Sequence, residues 1–213
     1  MNFVMDSQKV RIRTERELKI RKKEFLLICG ILDQLEINYF LQAGILLGAI
    51  RDNDLIKWDW DIEISVFGEE FNKKLDKVAE ELKKNNFKIS NINKKNNDSK
   101  IDFIGELDQS VTGYTIWSWY HSKIRKVYWR RDLSVPEKYL QNLSKINFMD
   151  KEFKCPSNPE EYLAYVYGDW KTPIRTSDKD VYLSDKFKNK NISKLFEYIN
   201  TLKRIVYKLK DKI

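Results

Sequence analysis

Histidine and cysteine are scarce in this chain. His121 is the single histidine among 213 residues, and the two cysteines are Cys29 and Cys155. One histidine excludes a metal site built from several imidazoles and gives no support for a catalytic dyad, so His121 is predicted to be a surface residue. The cysteines match neither a disulfide framework nor the spacing of a zinc site, which is consistent with a reducing compartment.

Long apolar runs are also missing. No stretch reaches the ~18–20 uninterrupted apolar residues that a membrane-spanning helix needs. The amino terminus lacks a charged and then apolar secretory pattern, so we expect a cytosolic location. Neither an internal repeat nor a low-complexity linker is present, and 42% of the residues are hydrophobic. We therefore expect one α/β domain over residues 1–213, with a core of about 16–175 and an amphipathic helical extension over 186–213.

Acidic side chains alternate along residues 58–66. In a strand, the period of two places one set of residues on one face: Asp59, Asp61, Glu63 and Ser65. The other face then carries Trp58, Trp60, Ile62, Ile64 and Val66. Carboxylates this close repel one another, and a divalent cation such as Mg²⁺ relieves that repulsion. The alternative is a solvated acidic face, which the poor strand propensity of Asp and Glu disfavours.

A glycine-flanked segment precedes the acidic strand. Residues 37–43 predict a short strand running into Gly44, and residues 45–51 predict a helical turn or two. Gly44 at this corner lets backbone N–H groups approach a phosphate, and Gly48 allows the helix to lie close to the sheet. The alternative is that both glycines only permit tight packing.

A further carboxylate lies on a later predicted strand. Residues 100–104 alternate so that Ile101 and Phe103 are buried and Asp102 faces the other way. Asp102 then completes the acidic cluster from a neighbouring strand, or it is an ordinary outward-facing acid.

Cations and aromatic residues interleave in the middle of the chain. Residues 114–131 favour a pair of strands, on which Arg125 and Arg130 are candidates to bind phosphate and Trp129 to stack on a base or sugar. A solvated cationic face over an aromatic core is the favoured alternative. Arg51 lies at the end of the glycine-flanked helix, and this position makes it the stronger candidate to bind the phosphate.

Apolar periodicity predicts the remaining elements. We expect a long helix over roughly 10–35, charged at first and apolar from Phe25 to Leu32, and an amphipathic helix over 69–85. A strand over 87–92 and a hairpin over 146–155 follow. Asn158 and Pro159 predict a capped helix start with Gly168 at its end, and this packing element leaves Tyr167, Asp169 and Trp170 a secondary role.

The carboxy-terminal residues 191–213 predict a basic amphipathic helix. Its apolar stripe either docks on the domain, which is the more ordinary outcome, or lies at an anionic membrane near lipid-linked acceptors. The net charge of +8 fits anionic donors, glycans, membranes and nucleic acid alike.

Two separated motifs resemble one known family. Residues 44–51 and 56–64 read G-I-L-L-G-A-I-R and I-K-W-D-W-D-I-E-I. They resemble the signature of the LicD and fukutin-related phosphotransferases, G-T-L-L-G-A-x-R and then I-P-W-D-D-D-I-D. Residues 155–173 are similar to the closing block of that family, P-x-N-x-E-E-Y-L…Y-G-x-x-W-x-x-P. The resemblance spans roughly residues 16–175.

The resemblance implies a nucleotidyltransferase-like mixed sheet flanked by helices, with an added β ribbon and C-terminal helices. It implies transfer of a phospho-substituent, such as phosphocholine or a polyol phosphate, from a CDP-linked donor to a hydroxyl of a glycan or lipid-linked saccharide. It also implies Mg²⁺ or Mn²⁺ as cofactor. Carried over by position, Asp59, Asp61 and Glu63 fall on the metal-binding acids of the family, and Asp102 on its later carboxylate.

Four positions depart from the family motif. Ile45 replaces Thr, so backbone N–H groups must serve the donor phosphate alone, and Lys57 replaces Pro. Trp60 replaces the central Asp, but in a strand it faces away from the acids and leaves the metal site intact. Glu63 replaces the last Asp and is longer by one methylene, so we expect Asp59 and Asp61, ahead of Glu63, to bind the metal. Asp102 is expected to be a further ligand or the base for the acceptor hydroxyl.

Two other functions stay open on the sequence. A nucleotidyltransferase in the strict sense uses the same acids but releases pyrophosphate from a nucleoside triphosphate. A non-catalytic nucleic-acid-binding protein relies on the basic ribbon and the carboxy-terminal lysines, leaves the acidic strand unexplained and ranks well below.

Overall fold

The computed structural model describes residues 10–95, 97–106, 113–131 and 133–188. The first half contains α1 (Glu15–Gln34), β1 (Tyr39–Leu41), α2 (Ala43–Leu47), a π-helical turn (Gly48–Asp52), β2 (Asp61–Phe67), α3 (Gly68–Lys84), β3 (Lys88–Asn93) and β4 (Lys100–Ile104). The second half contains β5 (Gly113–Ser122), β6 (Val127–Arg130), β7 (Leu133–Pro136), α4 (Glu137–Leu140), β8 (Ser144–Phe148), β9 (Lys151–Cys155), α5 (Pro159–Tyr167), α6 (Lys179–Tyr182) and α7 (Asp185–Lys188).

A mixed sheet forms the centre of the fold. Its strands follow the order β1-β2-β5-β4-β3, and β6 and β7 extend it from β5. Only the β2–β5 pair is parallel among these pairings. Helices flank the sheet, and β8 and β9 form a separate hairpin. The predicted mixed α/β fold with an added ribbon is therefore confirmed.

One face of the sheet is apolar and meets the helices. Ile62, Ile64 and Val66 of β2 share a buried core with side chains from α1 and α3, as period-two alternation predicts. In α3 the predicted apolar stripe is buried: Phe71, Leu75, Val78, Ala79 and Leu82. The hairpin packs on α1, where the ring centroids of Phe25 and Phe153 lie 5.5 Å apart. The opposite face of β2 is thereby left to its acidic residues.

The long first helix begins later than predicted. Thr14 caps it through a capping box with Glu17, and residues 10–13 precede the helix. The backbone N–H of Arg13 donates to the carbonyl of Lys57 at 2.8 Å. This bond ties residues 10–13 to the segment that leads into β2. The apolar second half of the helix is buried as predicted. Among the described residues, no helix is both long enough and apolar enough to cross a membrane.

The corner between β1 and α2 is a sharp turn of the backbone. Ala43 adopts the left-handed conformation there, with φ of +52°. Gln42 precedes it, and its side chain accepts from Ser65 Oγ at 2.6 Å and donates to the Tyr162 hydroxyl. The segment after β1 is therefore fixed to both β2 and α5.

Gly48 is required by a close approach of backbone to backbone. A Cβ at this position would lie 2.4 Å from the carbonyl oxygen of Asp54 and 3.2 Å from the nitrogen of Ile56. Because backbone atoms cannot move aside easily, we expect Gly48→Ala to lower the free energy of unfolding by about 1–3 kcal/mol. Urea denaturation measures this. Gly30→Ala is the matched control, since no atom lies within 4 Å of its added Cβ, and an equal loss there would contradict the explanation.

Candidate active site

A cleft of about 290 Å³ opens on the acidic side of the sheet, where β2 begins. Its lining comes from α2, from residues 56–63 and from α5. The chain after α5 forms a further wall, through residues that include Trp170, Thr176, Lys179 and Tyr182. Acidic, basic and aromatic side chains therefore meet in one concave site.

Asp59 and Asp61 lie together in the cleft. Burial, followed by the charges of Asp61 and Glu63, raises the pKa of Asp59 to about 7. Burial and the charge of Glu63 raise the pKa of Asp61 to about 6. Neither carboxylate forms an ion pair with a Lys or Arg of the described ranges. One oxygen of Asp59, Oδ1, accepts from the backbone N–H of Trp60 at 3.0 Å.

Two buried arginines hold the backbone that carries Asp59. Arg13 donates to the carbonyls of Asp59 and Trp60 at 2.8 Å each, and Arg21 donates to the Asp59 carbonyl at 2.9 Å. Their side chains are almost fully buried, at 6% and 1% exposure. Burial lowers the pKa of both guanidinium groups. Two positive charges behind the acidic residues thus reduce the cost of gathering negative charge in the cleft.

Neither arginine is among the site residues predicted from the sequence, in which the first half of the long helix stands out only by its charge. The spacing of the charged residues in α1 nevertheless indicates that some of them are buried. Glu17, Arg21 and Glu24 continue, at steps of three and four residues, the buried stripe that includes Ile28. Charged residues on the buried stripe of a helix predict polar partners inside the fold, and Glu24 accepts from the hydroxyl of Tyr114.

Glu63 belongs to the cleft but is already paired. Arg130 Nη2 lies 3.1 Å from Glu63 Oε2, and the Arg130 side chain is only 7% exposed. The guanidinium lies over the rings of Trp117 and Trp119, 4.5 and 5.2 Å from their centroids. Arg130 therefore balances the charge of Glu63, and the longer side chain of Glu, compared with Asp, extends towards this partner.

Asp102 is not brought to the cleft. The predicted orientation is right, because Asp102 and Glu63 both face Thr115 across the sheet. However, β5 lies between β2 and β4, so the two acids are not on neighbouring strands. Lys100 Nζ lies 2.5 Å from Asp102 Oδ2, and Asn91 and Thr115 also donate to the carboxylate. Burial acts to raise the pKa of Asp102, but these hydrogen bonds outweigh it and lower the pKa.

Trp58 and Trp60 are placed differently from the prediction. Both line the cleft beside the acids, and the side chain of Trp60 is 49% exposed. The strand begins only at Asp61, so the alternation of faces does not extend to residues 58–60. Trp60, at the position of the central Asp of the family motif, is therefore a wall residue of the cleft.

The glycine prediction is partly revised. A Cβ on Gly44 would lie 2.0 Å from Asp59 Oδ2, so the space that the glycine leaves open is filled by this carboxylate. Gly44 lines the cleft, whereas Gly48 does not. Gly48 instead lets the backbone carbonyl of Asp54 lie close to its own Cα, as described above.

The donor-site candidates divide into two groups. Arg51 and Arg130 line the cleft, and Arg51 pairs with Asp52 at 2.8 Å. Arg125 is exposed in the turn between β5 and β6, and Trp129 packs on Tyr120 with ring centroids 6.0 Å apart. Neither Arg125 nor Trp129 lines the cleft. His121, predicted to be a surface residue, is half-buried and lies 3.0 Å from Glu137.

The block after the hairpin contributes more than packing. Tyr167, Asp169 and Trp170 line the cleft. Thr176, Lys179 and Tyr182 also line it, and no sequence motif pointed to them. Pro159 begins α5 and Gly168 follows its last residue, as predicted, but Asn158 has φ of +49° and makes no side-chain cap, so the predicted cap by Asn158 is wrong. The predicted helix over 191–213 lies outside the described residues.

The acids present fit a hard divalent cation in part. Among the residues that the structure describes, no group of three or more Asp, Glu, His or Cys side chains is arranged to hold a metal ion. The expected four-acid cluster is therefore not formed. Asp59 and Asp61 remain a fitting pair, because they are crowded like charges that form no ion pair with a Lys or Arg of the described ranges, and Gly44 leaves the room that Asp59 needs.

Several known proteins are similar to this chain. Ribitol 5-phosphate transferase FKRP of Mus musculus and that of Homo sapiens are each 23% identical over 146 residues, which cover 66% of this chain and 30% of each relative. The chain thus spans less than a third of their length.

Two solved structures are also similar. The lincomycin-bound lincosamide antibiotic adenylyltransferase LnuA has 16% identity, a TM-score of 0.46, and coverage of 72% of this chain and 86% of its own. The solution structure of the antibiotic-resistance factor ANT(2'')-Ia has 11% identity, a TM-score of 0.48, and coverage of 89% and 98%.

A family model described as LicD/FKTN/FKRP, nucleotidyltransferase domain, matches residues 36–158. The match is longer than half of the chain and includes Gly44, Asp59 and Asp61. This chain therefore belongs to the LicD/FKTN/FKRP family.

Proposed function

We propose that this chain is a metal-dependent phosphotransferase that moves a phospho-substituent from a CDP-linked donor to a hydroxyl of a glycan. One observation carries the proposal: Asp59 and Asp61 share a cleft, without basic partners among the described residues, in a family whose curated relatives include a ribitol 5-phosphate transferase. The transferred group is phosphocholine or a polyol phosphate, and the acceptor is a free or lipid-linked saccharide.

Asp59 and Asp61 hold Mg²⁺ or Mn²⁺ in this proposal. The bound ion supplies charge neutralisation on the non-bridging oxygens of the donor diphosphate. The acceptor hydroxyl oxygen forms a bond to the phosphorus that carries the transferred group, the bond from that phosphorus to the bridging oxygen breaks, CMP leaves, and the hydroxyl proton passes to solvent water. Asp102 has no part in this step, since it lies outside the cleft and its lowered pKa makes it a poor base.

The aromatic side chains give the cleft its second property. Trp58, Trp60 and Trp170 present large flat surfaces beside the carboxylates. Such surfaces bury the apolar faces of a sugar or a nucleobase and exclude water from the reacting groups. A cytoplasmic location, with the donor nucleotide at hand, belongs to the same proposal.

A thermal-shift screen tests the donor. The protein is heated with and without Mg²⁺ in the presence of CDP-choline, CDP-ribitol, CDP-glycerol or each common nucleoside triphosphate. We expect Mg²⁺-dependent stabilisation by a CDP-linked donor, because a ligand that binds only the folded state raises its stability by mass action. Transfer to a saccharide acceptor with release of CMP is then measured.

The screen also separates the alternatives. Stabilisation by a nucleoside triphosphate alone, followed by release of pyrophosphate, would replace the proposal with nucleotidyl transfer. Affinity for DNA or RNA that falls steeply with salt and is the same in Asp61→Asn would favour the nucleic-acid-binding alternative.

A further inference from the structure

We propose that Lys179 is a diphosphate-binding residue, which contacts the donor in the cleft that Asp59 and Asp61 also line. This inference rests on the proposed function for the identity of the donor, but not for the presence of a diphosphate. Lys179 is the first residue of α6 and lies outside both residues 36–158 and the motifs that resemble the family.

Lys179 differs from the other cations of the cleft in its partners. Arg130 is paired with Glu63 at 3.1 Å, and Arg51 is paired with Asp52 at 2.8 Å. Lys179 is exposed in the cleft and makes no ion pair with any residue in the described ranges. The acid next to it in the chain, Asp178, accepts instead from the backbone N–H of Asp180. The ammonium group is therefore available to an anionic ligand.

Lys179 also shares the cleft with the acids. Lys179 and Tyr182 of α6 line the same concave site as Asp59 and Asp61. A group bound in this cleft is therefore bordered both by α6 and by the two carboxylates.

The wall that carries Lys179 is fixed to the rest of the fold. Trp58 Nε1 donates to the carbonyl of Ile174 at 3.2 Å, and Arg175 donates to the carbonyl of Val10. After α6, the backbone N–H of Ser184 donates to the carbonyl of Val166 at 2.7 Å. These bonds lie on both sides of α6. They hold Lys179 at a defined position and do not leave it on a free surface loop.

Charge balance indicates what the lysine binds. A divalent ion held by Asp59 and Asp61 is matched by their two negative charges, so the charge of a bound diphosphate needs a further cation. A lysine binds phosphate as a compact point charge on a flexible stem, and it serves this role without the fixed geometry that arginine requires. Lys179 supplies such a positive charge in the same cleft.

Pyrophosphate binding tests the inference. Isothermal titration with pyrophosphate and Mg²⁺ is performed on the wild-type protein, Lys179→Ala, Lys179→Arg and Lys171→Ala. Lys171 is the matched control, since it belongs to the same segment, is 72% exposed and is absent from the cleft lining. We expect Lys179→Ala to weaken binding about tenfold, as loss of a charged hydrogen bond does. Lys179→Arg should keep most of the affinity, and Lys171→Ala should stay within about twofold of the wild type.

Three outcomes would overturn the inference: wild-type affinity in Lys179→Ala, an equal loss in Lys171→Ala, or no pyrophosphate binding by the wild-type protein. Melting curves of each variant show that the fold is kept. The proposed function fails separately. If the protein uses no CDP-linked donor but Lys179→Ala still weakens pyrophosphate binding, the donor assignment is wrong and the diphosphate site stands. If the wild-type protein transfers from a CDP-linked donor and Lys179→Ala binds pyrophosphate with wild-type affinity, only the assignment of Lys179 to the diphosphate site is wrong.

Discussion

Asp61→Asn is expected to reduce phosphotransfer by roughly a thousandfold, which is the order of effect of removing one preorganised electrostatic contact in an active site. The melting temperature should stay the same or rise. Asp61 lies among like charges in the cleft, and burial and Glu63 both disfavour its ionised form. Asparagine keeps the shape of the side chain and removes the charge, so the repulsion disappears together with one metal ligand. Initial rates and thermal melts measure the two effects.

Asp102→Asn is the control for Asp61→Asn. Asp102 is ionised and hydrogen-bonded to Lys100, Asn91 and Thr115, outside the cleft. Its lowered pKa means that its charge stabilises the folded state above the unfolded pKa and that this contribution is lost as the pH falls. Asp102→Asn should therefore lower stability at neutral pH while transfer stays within a few-fold. Full transfer in Asp61→Asn, or a collapse of transfer in Asp102→Asn with an intact fold, would reverse the two assignments.

Asp102 shows that local sequence predicts the orientation of a side chain but not its distance from the rest of the site. Its orientation follows from the alternation of Ile101 and Phe103, and this is confirmed by their burial. Its distance from β2 depends on strand order. The strand β5, which follows β4 in the chain, enters the sheet between β2 and β4. No pattern within residues 100–104 records that insertion, so the expected convergence with Asp59 was wrong.

The error over Trp60 has a different physical cause. Alternation of faces holds only inside a strand, and the strand starts at Asp61. The carbonyls of Asp59 and Trp60 accept from Arg13 and Arg21, which come from a segment more than thirty residues earlier. The sequence of residues 58–66 cannot show that arginine side chains, instead of a neighbouring strand, donate to these two carbonyls. It is indicated only by the unusual position of Arg21 on the buried stripe of α1.

The second large effect is expected from Gly44→Ala, which should reduce transfer about a hundredfold or more with little change in stability. The added Cβ would lie 2.0 Å from Asp59 Oδ2 and 3.1 Å from its Cγ, and these atoms belong to a side chain that can rotate away. The fold therefore survives, but Asp59 leaves its position, and a displacement of about 1 Å at a reacting site costs roughly a hundredfold. Transfer rates and Mn²⁺ titration measure the loss. Gly30→Ala, which adds the same methyl group to a helix with open space, should leave both unchanged. Gly44→Ala with wild-type transfer and Mn²⁺ affinity would mean that Asp59 does not hold the metal from its observed position.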